Sequence, residues 1–268
     1  MIQPRESTTP SAPSVISLRS SAEPAELRLF CFPPAGGAAS PFRDWRHRLP
    51  PTVELRLLEL PGHGSRLLEP PIDDFGELVA ATTAALAPHV SIPYVLFGHS
   101  LGGLLAFEVT GRLRLQRLPP PVHVFIGCCG APHVAPAIPE LHRLPAEELR
   151  LELRRLGGTP EEILVNDDLW ELLEPATRAD LSFAATYDPP PRTPPLPCRI
   201  TAFGGRLDAF VTIDDLADWE PYSGGEFESH VIDGGHFAIH ENADEFFELF
   251  HPELERCLDR VRAAAPAY

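Results

Sequence analysis

Six short runs rich in aliphatic, β-branched and aromatic residues punctuate the chain, at residues 27–32 (LRLFCF), 53–60 (VELRLLEL), 94–98 (YVLFG), 122–127 (VHVFIG), 198–204 (CRITAFG) and 227–232 (FESHVI). They read as strands. Helix-period segments separate most of them: over residues 73–89, Phe75, Leu78, Val79, Thr82 and Leu86 share one face, and a second helix is predicted over residues 101–118. Strands alternating with helices predict an α/β fold with a mainly parallel sheet covered on both sides. The alternation stops between Cys128 and Cys198, where helical segments over residues 146–156, 160–165, 167–173 and 176–187 lead into the proline run at residues 189–195. A helical excursion that returns through a stiff linker predicts an inserted lid over about residues 131–190, mobile, with its apolar faces along a substrate channel.

With 268 residues and 44% apolar content, the chain is long enough to bury a full core. One domain is expected over residues 25–262. Residues 1–24 are rich in Ser, Thr and Pro and predict a disordered leader, and residues 263–268 a flexible tail. A formal charge of -16 argues against nucleic acid or an anionic membrane surface as partner. All 22 basic residues are Arg, which removes Schiff-base chemistry and the lysine of a phosphate-binding Walker loop. The five cysteines are odd in number and read as reduced core thiols. No stretch approaches the length of a membrane span or a secretion signal, so a cytoplasmic protein is expected.

Gly98-His99-Ser100-Leu101-Gly102 matches G-x-S-x-G with a strand before it and a helix after it, the context of a nucleophile elbow. Flanking glycines permit a tight turn that lifts the Ser100 hydroxyl clear of the backbone. Such a serine requires a base, and in the α/β-hydrolase fold the chain order is Ser, acid, His. His236 follows the last predicted strand and is the candidate among eleven histidines, whereas His99 should point away from the hydroxyl and His230 lies within a strand. Asp208 follows the strand CRITAF and is the candidate acid; Asp214 and Asp215 compete, although they read as helix caps. For the oxyanion, the candidate donors are the backbone N–H of Leu101 and of Ala35, because Pro33 and Pro34 in the preceding PPAGG loop carry none. No cofactor or metal is expected.

From residue 27 onward, CFPPAGG, ELPGHGSR, FGHSLGG with AFEV, LGGTPEE, TRADLSFAATY, FGGRLD and GGHFAIHEN follow in an order and spacing that resemble the type II thioesterases of polyketide and nonribosomal peptide synthases. The LGGTP and RAD segments resemble that family's lid. The resemblance implies an α/β-hydrolase fold and hydrolysis of acyl thioesters from the phosphopantetheine arm of an acyl or peptidyl carrier protein. An acyltransferase or carboxylesterase using the same triad, or a noncatalytic binding protein of the same fold, are the alternatives. Three departures stand out: Pro34 where the family often has His, His63 where it often has Arg, and Ala238-Ile239 after Phe237, which removes an aromatic beside the base.

Carrier proteins are typically acidic, so docking to an acidic enzyme needs a local basic patch. Arg150, Arg154 and Arg155 are the candidates. Arg150 and Arg154 lie one turn apart, opposite Leu149, Leu153 and Leu156, and their guanidinium groups are expected in solvent. The alternative is plain surface charge paired with Glu147, Glu148 and Glu152, in which case Arg43, Arg46 and Arg48 become the next candidates.

Overall fold

Consecutive residues of the central strands enter two different cores, which is why those strands read as unbroken apolar runs. In the computed structural model, which describes residues 11–19, 21–134, 140–189 and 193–264, Tyr94 and Leu96 pack into one layer while Val95 and Phe97 pack into the other. The strands are β1 (Ser14–Leu18), β2 (Leu27–Phe32), β3 (Val53–Glu59), β4 (Tyr94–His99), β5 (His123–Gly127), β6 (Arg199–Gly205) and β7 (Phe227–Ile232). They form one seven-stranded sheet in the order β1-β3-β2-β4-β5-β6-β7, parallel throughout except for antiparallel β1.

The helices are α1 (Phe75–Leu86), α2 (Leu101–Leu115), α3 (Ala146–Leu156), α4 (Glu161–Leu164), α5 (Asp167–Thr186), α6 (Ile213–Ala217), α7 (Ala238–Glu241) and α8 (Ala243–Ala264). Leu78 and Val79 of α1, Leu105 and Val109 of α2 and Leu216 of α6 cover one face of the sheet. Phe42 and Trp45 from a 3-10 turn, with Phe246, Phe250 and Leu254 of α8, cover the other. Leu141, Leu149, Leu153, Leu164, Trp170 and Leu181 form a third, smaller cluster within the inserted segment.

The strand order decides where a ligand can sit. From β2 the chain moves outward to β3 and then returns to β4 on the opposite side of β2, so the loops after β2 and β4 leave the sheet's carboxyl edge in divergent directions. That divergence opens a crevice, the usual ligand site of an open α/β sheet. Register places Phe32 beside Gly98 and His99 beside Gly127, which brings the PPAGG loop alongside the elbow.

Three expectations are corrected. Part of the leader, Ser14–Leu18, is a strand: Val15 packs on one core, Ile16 and Leu18 on the other, and the Ser17 hydroxyl donates to Glu54 at 2.8 Å. The Ser/Pro-rich surroundings concealed this short alternating run. Residues 1–10 lie outside those described. The helices expected over residues 167–173 and 176–187 are one helix, α5, with Pro175 inside it. Trp170, Leu173, Ala176, Thr177, Asp180, Leu181 and Ala184 of this helix are all buried, a continuous face that holds it together across the hydrogen bond a proline cannot donate. At the C-terminus α8 continues through Ala264, past the start of the expected tail.

Candidate active site

The elbow is built by two close approaches that only glycine permits. A Cβ on Gly98 would lie 2.1 Å from the Gly102 carbonyl oxygen, and one on Gly102 would lie 2.3 Å from the carbonyl oxygen of Phe32. The second contact pulls the start of α2 against the end of β2. Between these glycines Ser100 adopts φ 53° and ψ -122°, outside the ordinary regions for a side-chain-bearing residue, and its N–H donates to Gly127 at 2.8 Å. The strain projects the hydroxyl from the top of the sheet.

Three of the sequence candidates meet there. The Ser100 hydroxyl lies 2.8 Å from His236 Nε2, and His236 Nδ1 lies 2.8 Å from Asp208 Oδ2. The remaining oxygen of Asp208 accepts the N–H groups of Phe210 and Val211, at 2.9 and 3.3 Å. Those bonds fix a fully buried carboxylate in one orientation. Asp214 and Asp215, the competing acids, sit at the start of α6, where Thr212 and Asp215 form a reciprocal capping box. Leu101 and Ala35 line two separate recesses that both reach Ser100, and among the described residues neither backbone N–H has an acceptor.

His99 points away from the hydroxyl and has a positional task. Its Nε2–H donates to the backbone carbonyl of His236 at 2.8 Å, and burial together with the neighbouring His240 and His236 holds it well below the usual histidine range. It is therefore neutral, and it pins the main chain of the histidine that faces Ser100.

Two recesses open on Ser100 and His236. The larger, about 480 Å³, runs between the PPAGG loop and the inserted helices, lined by Leu153, Leu156, Ile163, Leu173, Leu181 and Phe237 among others. The smaller, about 60 Å³, lies toward Leu104, Cys129, Val134 and Tyr187. Both are chiefly apolar, and the larger is of a size suited to an acyl chain. Burial pushes the Cys129 thiol up to about 12 and Cys128 higher still, with Asp208 adding to both. Both stay protonated and are poor rivals to Ser100 as nucleophile.

The lid's LGGTP segment meets the site at a defined point. Gly158, with φ 79°, lies so close to Phe237 that a Cβ would be 2.2 Å from the ring. Phe237 directly follows His236, so this lid turn rests on the residue beside the base. Of the three lid arginines, Arg154 and Arg155 reach solvent as expected and Arg150 does not. Arg150 is mostly buried, stacked over Trp170 at 5.1 Å and paired with Asp167 at 2.7 Å. Arg154 pairs with Glu161 and Arg155 with Glu152. The carboxylates that capture Arg150 and Arg154 come from the acidic first turns of α5 and α4, which spacing along α3 could not reveal. Among the described residues the grouping with metal-ligand spacing is Glu228, His230 and Glu253, remote from Ser100, and Arg256 pairs with both its carboxylates.

Residues 27–254, from β2 into α8, match the thioesterase domain family. The chain belongs to that family. Its similarity to the gramicidin S biosynthesis protein GrsT of Aneurinibacillus migulanus is 36% identity over 87% of this chain and 91% of the relative. Among solved structures it superposes on the RedJ thioesterase from the prodiginine biosynthetic pathway in Streptomyces coelicolor with a TM-score of 0.80, 37% identity, and 88% and 95% of the two chains covered. The type II thioesterase BorB from the borrelidin biosynthetic cluster also gives 0.80, at 31% identity over 91% and 97%. This thioesterase is a thioester hydrolase of α/β-hydrolase architecture, and no helix among its described residues is long and apolar enough to cross a membrane.

Two buried polar residues of this thioesterase, His63 and Asp180, face each other beside the PPAGG loop. Although His63 is a departure from the family and Asp180 lies in the RAD segment, their pairing escaped the sequence reading. One signal was available. Asp180 falls on the same helical face as Ala176, Thr177 and Ala184, and a carboxylate on a buried face implies a partner.

Proposed function

We propose that this enzyme clears acyl groups from the phosphopantetheine arm of carrier proteins in a polyketide or nonribosomal peptide pathway, with Ser100 as nucleophile. The carrying observation is the continuous hydrogen-bonded path from Ser100 through His236 to Asp208 at the mouth of two apolar recesses. In this reading Ser100 Oγ attacks the thioester carbon while His236 Nε2 takes its proton. Asp208 holds the tautomer and stabilises the imidazolium, and the N–H groups of Leu101 and Ala35 receive the oxyanion. Collapse expels the pantetheine sulfur, which takes the proton from His236. Water then attacks the acyl-serine, again giving its proton to His236, and the free acid leaves with Ser100 restored.

The carrier must approach a protein of formal charge -16. With the lid arginines already paired, Arg43 and Arg46 are the better docking candidates. They lie on the 3-10 turn Ser40–His47 next to the cleft-lining PPAGG loop, and among the described residues neither pairs with a carboxylate. Exchanging both for Glu is expected to raise KM about tenfold or more for an acyl group on a carrier protein, with little change for the same group on N-acetylcysteamine. Equal effects on both substrates would remove these arginines from the interface. A wild-type enzyme that hydrolyses the small thioester and ignores the carrier-bound one would overturn the carrier reading itself.

A further inference from the structure

His63 and Asp180 come from two segments far apart in sequence, the turn after β3 and the lid helix α5, and meet at a third. Both side chains are about 3% exposed. Asp180 Oδ2 lies 2.9 Å from His63 Nε2 and also accepts the N–H of Gly36 at 2.8 Å. The second ring nitrogen, Nδ1, lies 3.0 Å from the carbonyl oxygen of Pro61. A carbonyl can only accept, so Nδ1 carries a proton; an ionised Asp180 requires one on Nε2 as well. The ring is then an imidazolium, caged between a carboxylate and a carbonyl. Around it the packing admits no slack: Gly36, with φ 65°, has Thr177 of α5 where a Cβ would be, at 2.9 Å, and Gly62 has Ala176 at 3.1 Å.

Gly36 directly follows Ala35. Whatever holds the Gly36 N–H therefore fixes the plane of the Ala35–Gly36 peptide and, across the Ala35 Cα, restrains the preceding peptide that carries the Ala35 N–H. We propose that Asp180 and His63 are positioning residues for thioester hydrolysis: α5 reaches across with the Asp180 carboxylate to orient the PPAGG loop, and the His63 imidazolium holds that carboxylate in place. The proposal rests on the reading of Ala35 as an oxyanion donor. It also assigns the inserted segment a second task, since Leu181 and Ala184 of the same helix line the larger recess. The α5 part of the lid is thus a fixed beam that joins the acyl recess to the oxyanion loop.

Burial opposes the charge on His63, and Asp180, with the Pro61 carbonyl and Glu59, outweighs it, so the ring titrates above its ordinary value. The charged groups facing it are Asp180 from α5 and Glu59 from the end of β3. A histidine raised in the folded state lends stability that is full below its unfolded value near 6.5 and is lost as pH rises through the folded value. The loop is therefore held while pH stays below the raised His63 value and is released as pH rises through it. Loss of a single oxyanion donor lowers kcat by about 10²- to 10³-fold, and misorientation is expected to lower it by somewhat less.

The test uses the full chain with an acyl N-acetylcysteamine thioester, and normalises kcat to sites titrated by a fluorophosphonate. Asp180→Asn and His63→Gln are each expected to lower kcat per titrated site about 10- to 100-fold with KM within about twofold. Wild-type kcat should decline as the alkaline pH releases the pair, and His63→Arg, a permanent cation, should keep activity and lack that decline. A residue that only supports the fold would reduce the titratable fraction and the melting temperature, leaving kcat per site unchanged. That result in Asp180→Asn and His63→Gln would overturn the proposal, as would identical alkaline profiles for wild type and an active His63→Arg. If the arginine variant does not fold, Asp180→Asn and the wild-type profile decide. Failure of the phosphonate to label wild-type Ser100 is a different outcome, and would remove the serine reading rather than this one.

Discussion

Ser100→Ala is expected to lower thioester hydrolysis by about 10⁵- to 10⁶-fold and to abolish acyl-enzyme formation, while the variant folds as the wild type does. The size follows from serine hydrolases in which loss of the nucleophile leaves only oxyanion stabilisation and binding to assist attack by water. Alternative nucleophiles are disfavoured here because Cys128 and Cys129, which line the recess beside Ser100, are held protonated by burial and by Asp208. Folding should survive because the substitution removes one half-buried oxygen at the mouth of the recesses, while the bond from the Ser100 N–H to Gly127 belongs to the backbone. Steady-state kinetics with a thioester, checked by thermal melting, measures both parts. Retention of more than about a thousandth of the wild-type rate would move the nucleophile elsewhere.

Asp208→Asn is expected to lower turnover at neutral pH by about 10³- to 10⁴-fold. An amide in place of the carboxylate can present its NH2 to His236 Nδ1, which favours the tautomer with the proton on Nε2. In that tautomer Nε2 cannot accept from Ser100. The geometry should otherwise persist, because the amide oxygen can still accept the N–H groups of Phe210 and Val211. Raising the pH should recover part of the loss as hydroxide substitutes for the missing base. A near-wild-type rate would transfer the role to another carboxylate, and the capping box that engages Asp215 makes Asp214 the first to examine.

The parts of this molecule most legible in the sequence are those governed by local pattern. Six strands and the elbow follow from apolar runs ended by glycine, proline or aspartate, because a sheet buried on both faces demands such runs and a strained serine demands small neighbours. The order Ser100, Asp208, His236 was readable because each candidate directly follows a strand, and the carboxyl edge of a parallel sheet gathers such loops. What stayed hidden depends on partners distant in sequence. The strand Ser14–Leu18 gains its stability from β3, about forty residues away, and nothing local announces that pairing. Arg150 looked solvent-facing on α3 alone; Trp170 and Asp167, from α5, capture it. The His63–Asp180 pair spans 117 positions, and neither member taken singly names the other as its partner. Pro175 misdirected the reading in the other sense, since a proline ordinarily ends a helix and here a long buried face carries the helix through it.

The most direct test is intact-protein mass spectrometry after mixing the wild-type enzyme with a carrier protein bearing an acyl group on its phosphopantetheine. At short times the enzyme should gain the mass of the acyl group, with fragmentation placing it on Ser100. At longer times the acyl group should appear as free acid, the carrier should regain its free thiol, and the enzyme should return to its starting mass. An acyl group found on a cysteine, or an enzyme that never gains the mass while the carrier keeps its acyl group, would contradict it.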